Sequence, residues 1–337
     1  MPIGVQDRDS ALKVADLGMT LFYDKAVNTV LTKLFRRGDK LRQDITTWPL
    51  RKRGVVATPA VMDKDDKTTF GGATDSKAQM YLQRVWSPGY HLGRIAQMQE
   101  MAAITNNLAD EIRRDRQDLA VAIENLLGSD QECQLETGAA TPYKTRGVFK
   151  YLQTAAQGTL PIADGFRPST ACNFSGTIAT YFPESLEAQL EAIALDVLER
   201  PNLVMVAGPK LRSRVSKWPY HATADDASRD VTFKYTSSLE KKMAMVVENM
   251  EFTHGDVKLV TDFHLLRDLS DGSVSAKGQR SGALLDVDSW RMRWMDEPGW
   301  WEVADAGGGP RGFHDGILML VCFRPIGQGL VEISADS

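Results

Sequence analysis

Apolar positions along the chain switch between a helical and an alternating period. Val14, Leu17, Leu21, Val27, Val30, Leu31 and Leu34 fall near helical spacing and predict an amphipathic helix over residues 14–35. From Arg51 to Tyr90 the pattern becomes extended. Val55–Val61 and Ala78–Val85 predict two strands flanking a polar, glycine-containing tip, Asp63–Ser76. This long hairpin shows no core of its own, and isolated two-stranded hairpins are marginal in water, so it is expected to lie on another surface. The strongest helix follows. Met98, Met101, Ile104, Leu108, Ile112, Leu119, Ile123 and Leu126 step by 3, 4 or 7 residues, and Asp110, Arg113, Arg114, Asp115 and Asp118 occupy the other faces. The pattern predicts a helix of roughly 30 residues ending at Gly128-Ser129.

Beyond it, Glu132–Arg146 reads as loop, Gly147–Leu152 as a short ordered piece, and residues 153–182 are rich in Gly, Thr, Ala and Pro with little periodicity. A helix is expected from Pro183, a residue favoured at the first helical position, to Glu199. A buried strand at Asn202–Val206 and a helix at Pro209–Trp218 complete an α-β-α run that suggests a compact second lobe. The C-terminal part is β-rich. Val257, Leu259, Thr261, Phe263 and Leu265 alternate with Lys258, Asp262 and His264. Met243–Phe252 precedes them across a turn at Thr253–Asp256, where Gly255 is expected to supply a positive φ. Trp290, Met292 and Trp294 alternate with Arg291 and Arg293, Gly316–Phe323 is apolar throughout and expected to be a strand covered on both faces or packed at a core, and Leu330–Ser334 closes the chain as a strand. The fold class expected is α+β.

At 337 residues, with 43% hydrophobic and 25% charged positions, the chain excludes disorder and rod-like repeats. It is long enough for two lobes or an elongated shape. Forty basic against 44 acidic side chains give net −4, so the chain as a whole is not built for polyanions. Locally the balance differs. Lys33, Arg36, Arg37, Lys40, Arg42, Arg51, Lys52 and Arg53 face only Asp39 and Asp44 across residues 33–53, an excess of six positive charges. This segment is either a solvated arm facing a partner or a nucleic-acid contact, the latter without the aromatic interleaving such surfaces carry. Three dispersed cysteines support neither a disulfide framework nor a zinc knuckle. No early apolar segment and no run of 18 apolar residues exists, so a soluble product of a reducing compartment with no membrane partner is expected.

Catalytic templates fail one by one. Gly307-Gly-Gly-Pro-Arg311 lacks the Lys-Ser/Thr of a phosphate-binding loop. Counting a calcium loop from Asp63 puts Thr68 where glycine is needed and Thr74 where Glu must close the site. His254 and His264 are placed to meet across their hairpin but have no cysteine or H-E-x-x-H beside them. Cys172 sits in a loop without an assignable His partner, and Trp300-Trp301 with the Trp290/Trp294 stripe read as core or interface. No catalytic residue, cofactor or metal is expected.

The order of parts is a basic arm, a polar-tipped hairpin, one very long helix, an α/β lobe and returning strands. This order resembles the major capsid proteins of tailed bacteriophages with the Hong Kong 97-type fold. The phrases Asn107-Leu-Ala-Asp-Glu-Ile-Arg-Arg-Asp-Arg-Gln-Asp118, Glu124-Asn-Leu-Leu-Gly128, Thr145-Arg-Gly-Val-Phe-Lys150, Leu203–Lys217 and Ala283-Leu-Leu-Asp-Val-Asp-Ser-Trp290 look like one branch of that family. The resemblance implies an N-terminal arm over 1–50 and an extended loop over 51–93. It also implies a peripheral domain with a spine helix over 94–150 and 231–300, and an axial domain over 151–230 and 301–337. It implies a structural, non-enzymatic protein that assembles with itself as hexamers and pentamers into an icosahedral virion shell around double-stranded DNA, contacted non-specifically. Portal and scaffolding proteins, and a decoration protein, would be its partners, and assembly would take place in the host cytoplasm. The assembly contacts expected are Lys33, Arg36, Arg37, Lys40, Arg42, Arg51, Lys52, Arg53, Asp63, Asp65, Asp66, Phe70, Arg113 and Arg114. Both ends and the stretch Asp63–Lys77 are expected to be held by neighbours, and a chain starting at Met1 suggests a separate scaffold rather than a cleaved segment. Lys64, Lys67 and Lys77 lie in the loop, but no partner for a cross-link is identified. Three other readings stay open: a nucleic-acid-binding protein using residues 33–53, a non-viral nanocompartment of the same fold, and an enzyme housed in the 151–230 lobe.

Overall fold

The computed structural model describes residues 29–52, 74–95, 107–138, 140–154, 157–218, 248–270, 272–305 and 307–335. The expected helical turns before Thr29, the strand Val55–Val61, most of the hairpin tip and the start of the long helix (Met98, Met101, Ile104) lie outside them. In chain order come α1 (Val30–Leu34), β1 (Arg36–Arg37), β2 (Ile45–Lys52), β3 (Thr74–Tyr81), β4 (Gln83–Trp86), β5 (Tyr90–His91) and α2 (Asn107–Leu127). Next are α3 (Val148–Leu152), β6 (Phe174–Thr177), α4 (Pro183–Val197), β7 (Asn202–Ala207) and α5 (Pro209–Lys217). The last group is β8 (Asn249–Phe252), β9 (Gly255–Thr261), α6 (Ala276–Arg280), β10 (Gly282–Leu285), β11 (Trp290–Val303), β12 (Arg311–Cys322) and β13 (Gly329–Ala335).

Two larger sheets organise these elements. One runs β1-β11-β12-β4, with β5 also on β12, around a long antiparallel hairpin from Trp290↔Cys322 to Val303↔Arg311. Its register breaks between Trp294 and Gly299, where Pro298 cannot donate to the ladder and folds against Gly316 instead. Trp290, Met292 and Trp294 point inward as their alternation predicts. The second sheet has six strands in the order β6-β13-β10-β7-β9-β8. Leu203, Met205 and Ala207 of β7 face the cluster under α4 and α5, while Val206 joins the cluster of the first sheet. Coverage of both faces explains the unbroken apolar run. The sheets divide the chain differently from the expected segments: β8–β10 join β7, and β12 joins β11.

Several expectations need correction. The hairpin does have a footing: β2 and β3 pair from Ile45↔Tyr81 to Lys52↔Thr74, and Trp48, Leu50, Ala78 and Met80 are buried in the main core. Trp48 meets Phe323 edge-on with ring centroids 6.2 Å apart. A boundary at residue 50 therefore falls inside a strand. The predicted strand Ala78–Val85 is two strands in two sheets, β3 and β4, joined at Leu82. In α2, Asp115 is buried rather than placed on an outer face. The β8–β9 corner is Thr253-His254, and Gly255 does not adopt a positive φ. Glycine is needed there because a Cβ would sit 2.9 Å from the Pro201 carbonyl oxygen. Past Thr261 the alternation inverts, so that Asp262 and His264 are buried and Phe263 is 51% exposed.

Candidate assembly interface

Residues of the basic segment are docked on the chain itself before they meet anything else. The Glu124 carboxylate, fully buried on α2, accepts hydrogen bonds from the Leu31 N–H, the Thr32 N–H (3.0 Å) and the Thr32 hydroxyl (2.6 Å), which clasps α1 to α2. Burial pushes the Glu124 carboxyl above its ordinary range, and these bonds partly offset it. Phe35 stacks on Trp290 with centroids 5.1 Å apart. The next residues form β1, which adds in parallel to the edge of β11 with Arg36↔Arg291 and Arg37↔Met292. The Gly38 N–H donates to Met292 O and the Leu41 N–H to Trp294 O, extending the seam.

Among the described residues, the expected contact residues do not converge on one patch. Arg36 pairs with Asp288 and Arg37 with Glu297 on the β11 side. Lys33, Lys40 and Arg42 are exposed beside them. On the β2–β3 hairpin, Arg51 grips Asp75 with two bonds, Nε–Oδ1 2.7 Å and Nη2–Oδ2 3.0 Å, and the Lys52 ammonium lies 3.5 Å from Gly165 O. The Arg51 guanidinium holds the Asp75 carboxyl below its ordinary range. Arg113 and Arg114 pair one turn back along α2 with Asp110 and Glu111. Arg53, Asp63, Asp65, Asp66 and Phe70 lie outside the described residues.

Two features escaped sequence reasoning. The first is an aromatic face at the far end of the first sheet. Trp86 (65% exposed) meets Phe313 edge-on at 6.4 Å, and Trp301 (53% exposed) stands opposite Phe313 in the ladder. The Arg84 guanidinium lies 5.6 Å from the Trp86 ring and binds Asp315 through Nε at 2.7 Å. Adjacent tryptophans on a strand must point to opposite faces, and Trp300 turns the other way to donate to the Tyr90 hydroxyl at 3.0 Å. The Trp300-Trp301 pair itself carried the signal. The second feature is a buried polar knot. Asp115 on α2 accepts from the Ser87 hydroxyl (2.6 Å), the Gly89 N–H (2.8 Å) and the His314 N–H (3.0 Å), and the His314 Nδ1 lies 2.8 Å away. It ties α2 to β12 and to the β4–β5 connection.

The remaining chemistry is inert. Burial pushes the Cys133 thiol up to about 12 and the Cys172 thiol to about 11, and raises Cys322 as well, so no thiolate nucleophile forms near neutral pH. His264 Nδ1 contacts Asn125 at 3.0 Å instead of His254. Among the described residues no three His, Cys, Asp or Glu side chains gather as a metal site, and no helix is long and apolar enough to cross a membrane.

A clasped arm, a hairpin footed in the core, one long helix and two sheets make the fold of phage capsid shell proteins, the Hong Kong 97 type. Solved structures agree. The capsid of cyanophage A-1(L) superposes with a TM-score of 0.65 at 14% identity, covering 99% of each chain. The capsid of a native GTA particle gives 0.59 at 11% identity, covering 98% of each. Gordonia phage Cozz gives 0.58 at 11%, covering 96% of this chain and 91% of that one. The SU10 major capsid protein family model matches residues 10–314, and the chain belongs to that family. It is a virion shell protein that assembles with copies of itself, structural rather than enzymatic. No curated protein matches it.

Proposed function

We propose that this chain builds an icosahedral phage head through hexamers and pentamers and encloses double-stranded DNA. The family match over residues 10–314 carries this reading. In it, the arm ends where β2 begins, the extended loop runs from β2 to residue 93 and is rooted in the core through β2 and β3, and α2 is the spine of the peripheral domain. The sheet pairings favour redrawing the other boundaries: β8–β10 with 151–230 and β13 form the axial domain, and β12 stays with β11 in the peripheral domain. Lys33, Lys40, Arg42 and the hairpin tip then meet neighbouring copies, with DNA touched non-specifically. The internal pairing of Arg36, Arg37 and Arg51 disfavours a continuous phosphate track. Portal, scaffolding and decoration proteins complete the partners, in the host cytoplasm.

Electron microscopy of the expressed protein, with and without its scaffolding partner, tests this. Closed shells tens of nanometres across are expected in at least one sample. Monodisperse small particles in both would overturn the reading and favour DNA binding by residues 33–53.

A further inference from the structure

The two helices on the outer face of the six-stranded sheet carry opposite charge. α4 holds Glu184, Glu187, Glu191 and Asp196 and no Lys or Arg, whereas α5 holds Lys210, Arg212, Arg214 and Lys217 and no Asp or Glu. Each turns its apolar side inward, Leu186, Leu190 and Ile193 from α4 and Leu211 and Val215 from α5, into one cluster. The charges are thereby sorted outward. On α5 the exposed positions are Lys210, Ser213 and Lys217, because Arg212 reaches in to the Leu259 carbonyl (2.7 Å) and Arg214 to the Ala179 carbonyl (2.8 Å). On α4 the outward row 184, 188, 191 and 195, flanked by the half-buried Glu187, begins acidic and ends apolar, with Leu195 66% exposed and Leu198, just past the helix, 81% exposed.

The helices also hold different strands of the sheet. Gln189 of α4 donates to Leu330 O on β13 at 3.0 Å, and Ile193 lies over Gly329. Arg212 of α5 reaches β9, and Leu211 lies over Gly282 of β10. α4 comes against β9 as well, so acid and base are sorted onto separate helices of one sheet face rather than onto its two edges.

We propose that α4 of one copy docks on α5 of the next in a head-to-tail ring, with Glu187 and Glu191 opposite Lys210 and Lys217 and with Leu195 and Leu198 covered by the same contact. The proposal rests on the shell reading and names its in-ring partner surface, a second copy of this chain. Head-to-tail closure needs two different, complementary patches. Exposed ion pairs add little affinity. They do reject wrong pairings, and acid on acid or base on base is disfavoured in any two-fold arrangement of these helices.

The test compares shell yields by electron microscopy for wild type, an acid-reversed variant (Glu187→Lys with Glu191→Lys), a base-reversed variant (Lys210→Glu with Lys217→Glu) and the fourfold swap. Each reversal alone is expected to lower the yield of closed shells by about tenfold or more. The swap is expected to restore it. An equimolar mixture of the two reversed proteins is expected to form only rings of even order, because copies must alternate: hexamers return and pentamers do not. Thermal melts of the unassembled proteins check folding, and if a reversal melts early, the neutral pair Glu187→Gln with Glu191→Gln must lower yield at wild-type melting. Reversed variants that assemble like wild type, or a swap that fails to restore shells, overturn the contact while leaving the shell reading intact. Wild-type protein that forms no shells overturns both.

Discussion

Asp262 ends β9 with Oδ1 accepting the His264 N–H at 2.8 Å and Oδ2 buried without a partner. Burial first, then the nearby Glu124 charge, raises its pKa to about 7, against a smaller pull downward from His264 and Arg267. A carboxyl raised in the folded state contributes stability that is full below the ordinary carboxylate range and is lost as pH rises through about 7. The melting temperature of unassembled protein is therefore expected to fall between pH 5 and pH 8. Asp262→Asn keeps the shape without the charge and should flatten that fall, raising Tm at pH 8 by about 2–4 °C, the shift that roughly 1 kcal/mol gives a large domain. Superimposable pH profiles would refute it. Removing the Asp115 side chain lowers stability instead. Asp115→Ala strands the Ser87 hydroxyl and the Gly89 and His314 N–H groups, and denaturant unfolding should show a loss of about 2–4 kcal/mol. Neither role was legible in the sequence. A charged residue in a helical pattern reads as outward-facing, and the partners that bury Asp115 and Glu124 stand 199 and 93 residues away.

At the scale of elements, close backbone approach decides which glycines are fixed. A Cβ on Gly208, just before α5, would collide with the carbonyl oxygens of Gly278 and Gln279 in α6. Gly208→Ala should cost about 2–3 kcal/mol in denaturant unfolding, since backbone on both sides cannot yield. Gly38→Ala meets Arg293 Cγ at 2.7 Å and Arg291 Cβ at 3.3 Å, side-chain atoms rather than backbone, and should cost less than Gly208→Ala. Equal losses would show that the seam of β1 on β11 is as rigid as the α5–α6 junction. The run α4, β7, α5 was readable almost to the residue because its signals are local: a proline opening each helix, apolar spacing, and a short uniformly apolar strand. β2 was not. Pro49, Arg51 and Lys52 look like arm, and the inward alternation of Trp48 and Leu50 gains meaning only beside β3. Pro49 is tolerated because the sheet has just two strands, both of them edges. Sheet membership depends on pairings between distant segments, which no local period encodes.

For the whole molecule, the two sheets are not independent units. Val206, Ala283, Leu285 and Leu330 of one share a buried cluster with Trp290, Met292, Leu318 and Leu320 of the other, and the chain passes from β10 to β11 through the single turn Val287–Ser289. Calorimetry of unassembled protein should give one unfolding transition; two resolved peaks would refute the shared core. The candidate contacts were legible at this scale only as a charge excess: the composition marked residues 33–53 as unusual, and nothing in it revealed that Arg36, Arg37 and Arg51 find acidic partners within the chain. The seam of β1 on β11 also sets a timetable. A ribosome delivers Arg36 early and its ladder partner Arg291 near the end, an interval of about 10–50 s at roughly 5–20 residues per second. Through that interval Arg36 and Arg37 have no strand to join. β1 is thus made long before it can dock, and a helper that shields it has its opening during translation.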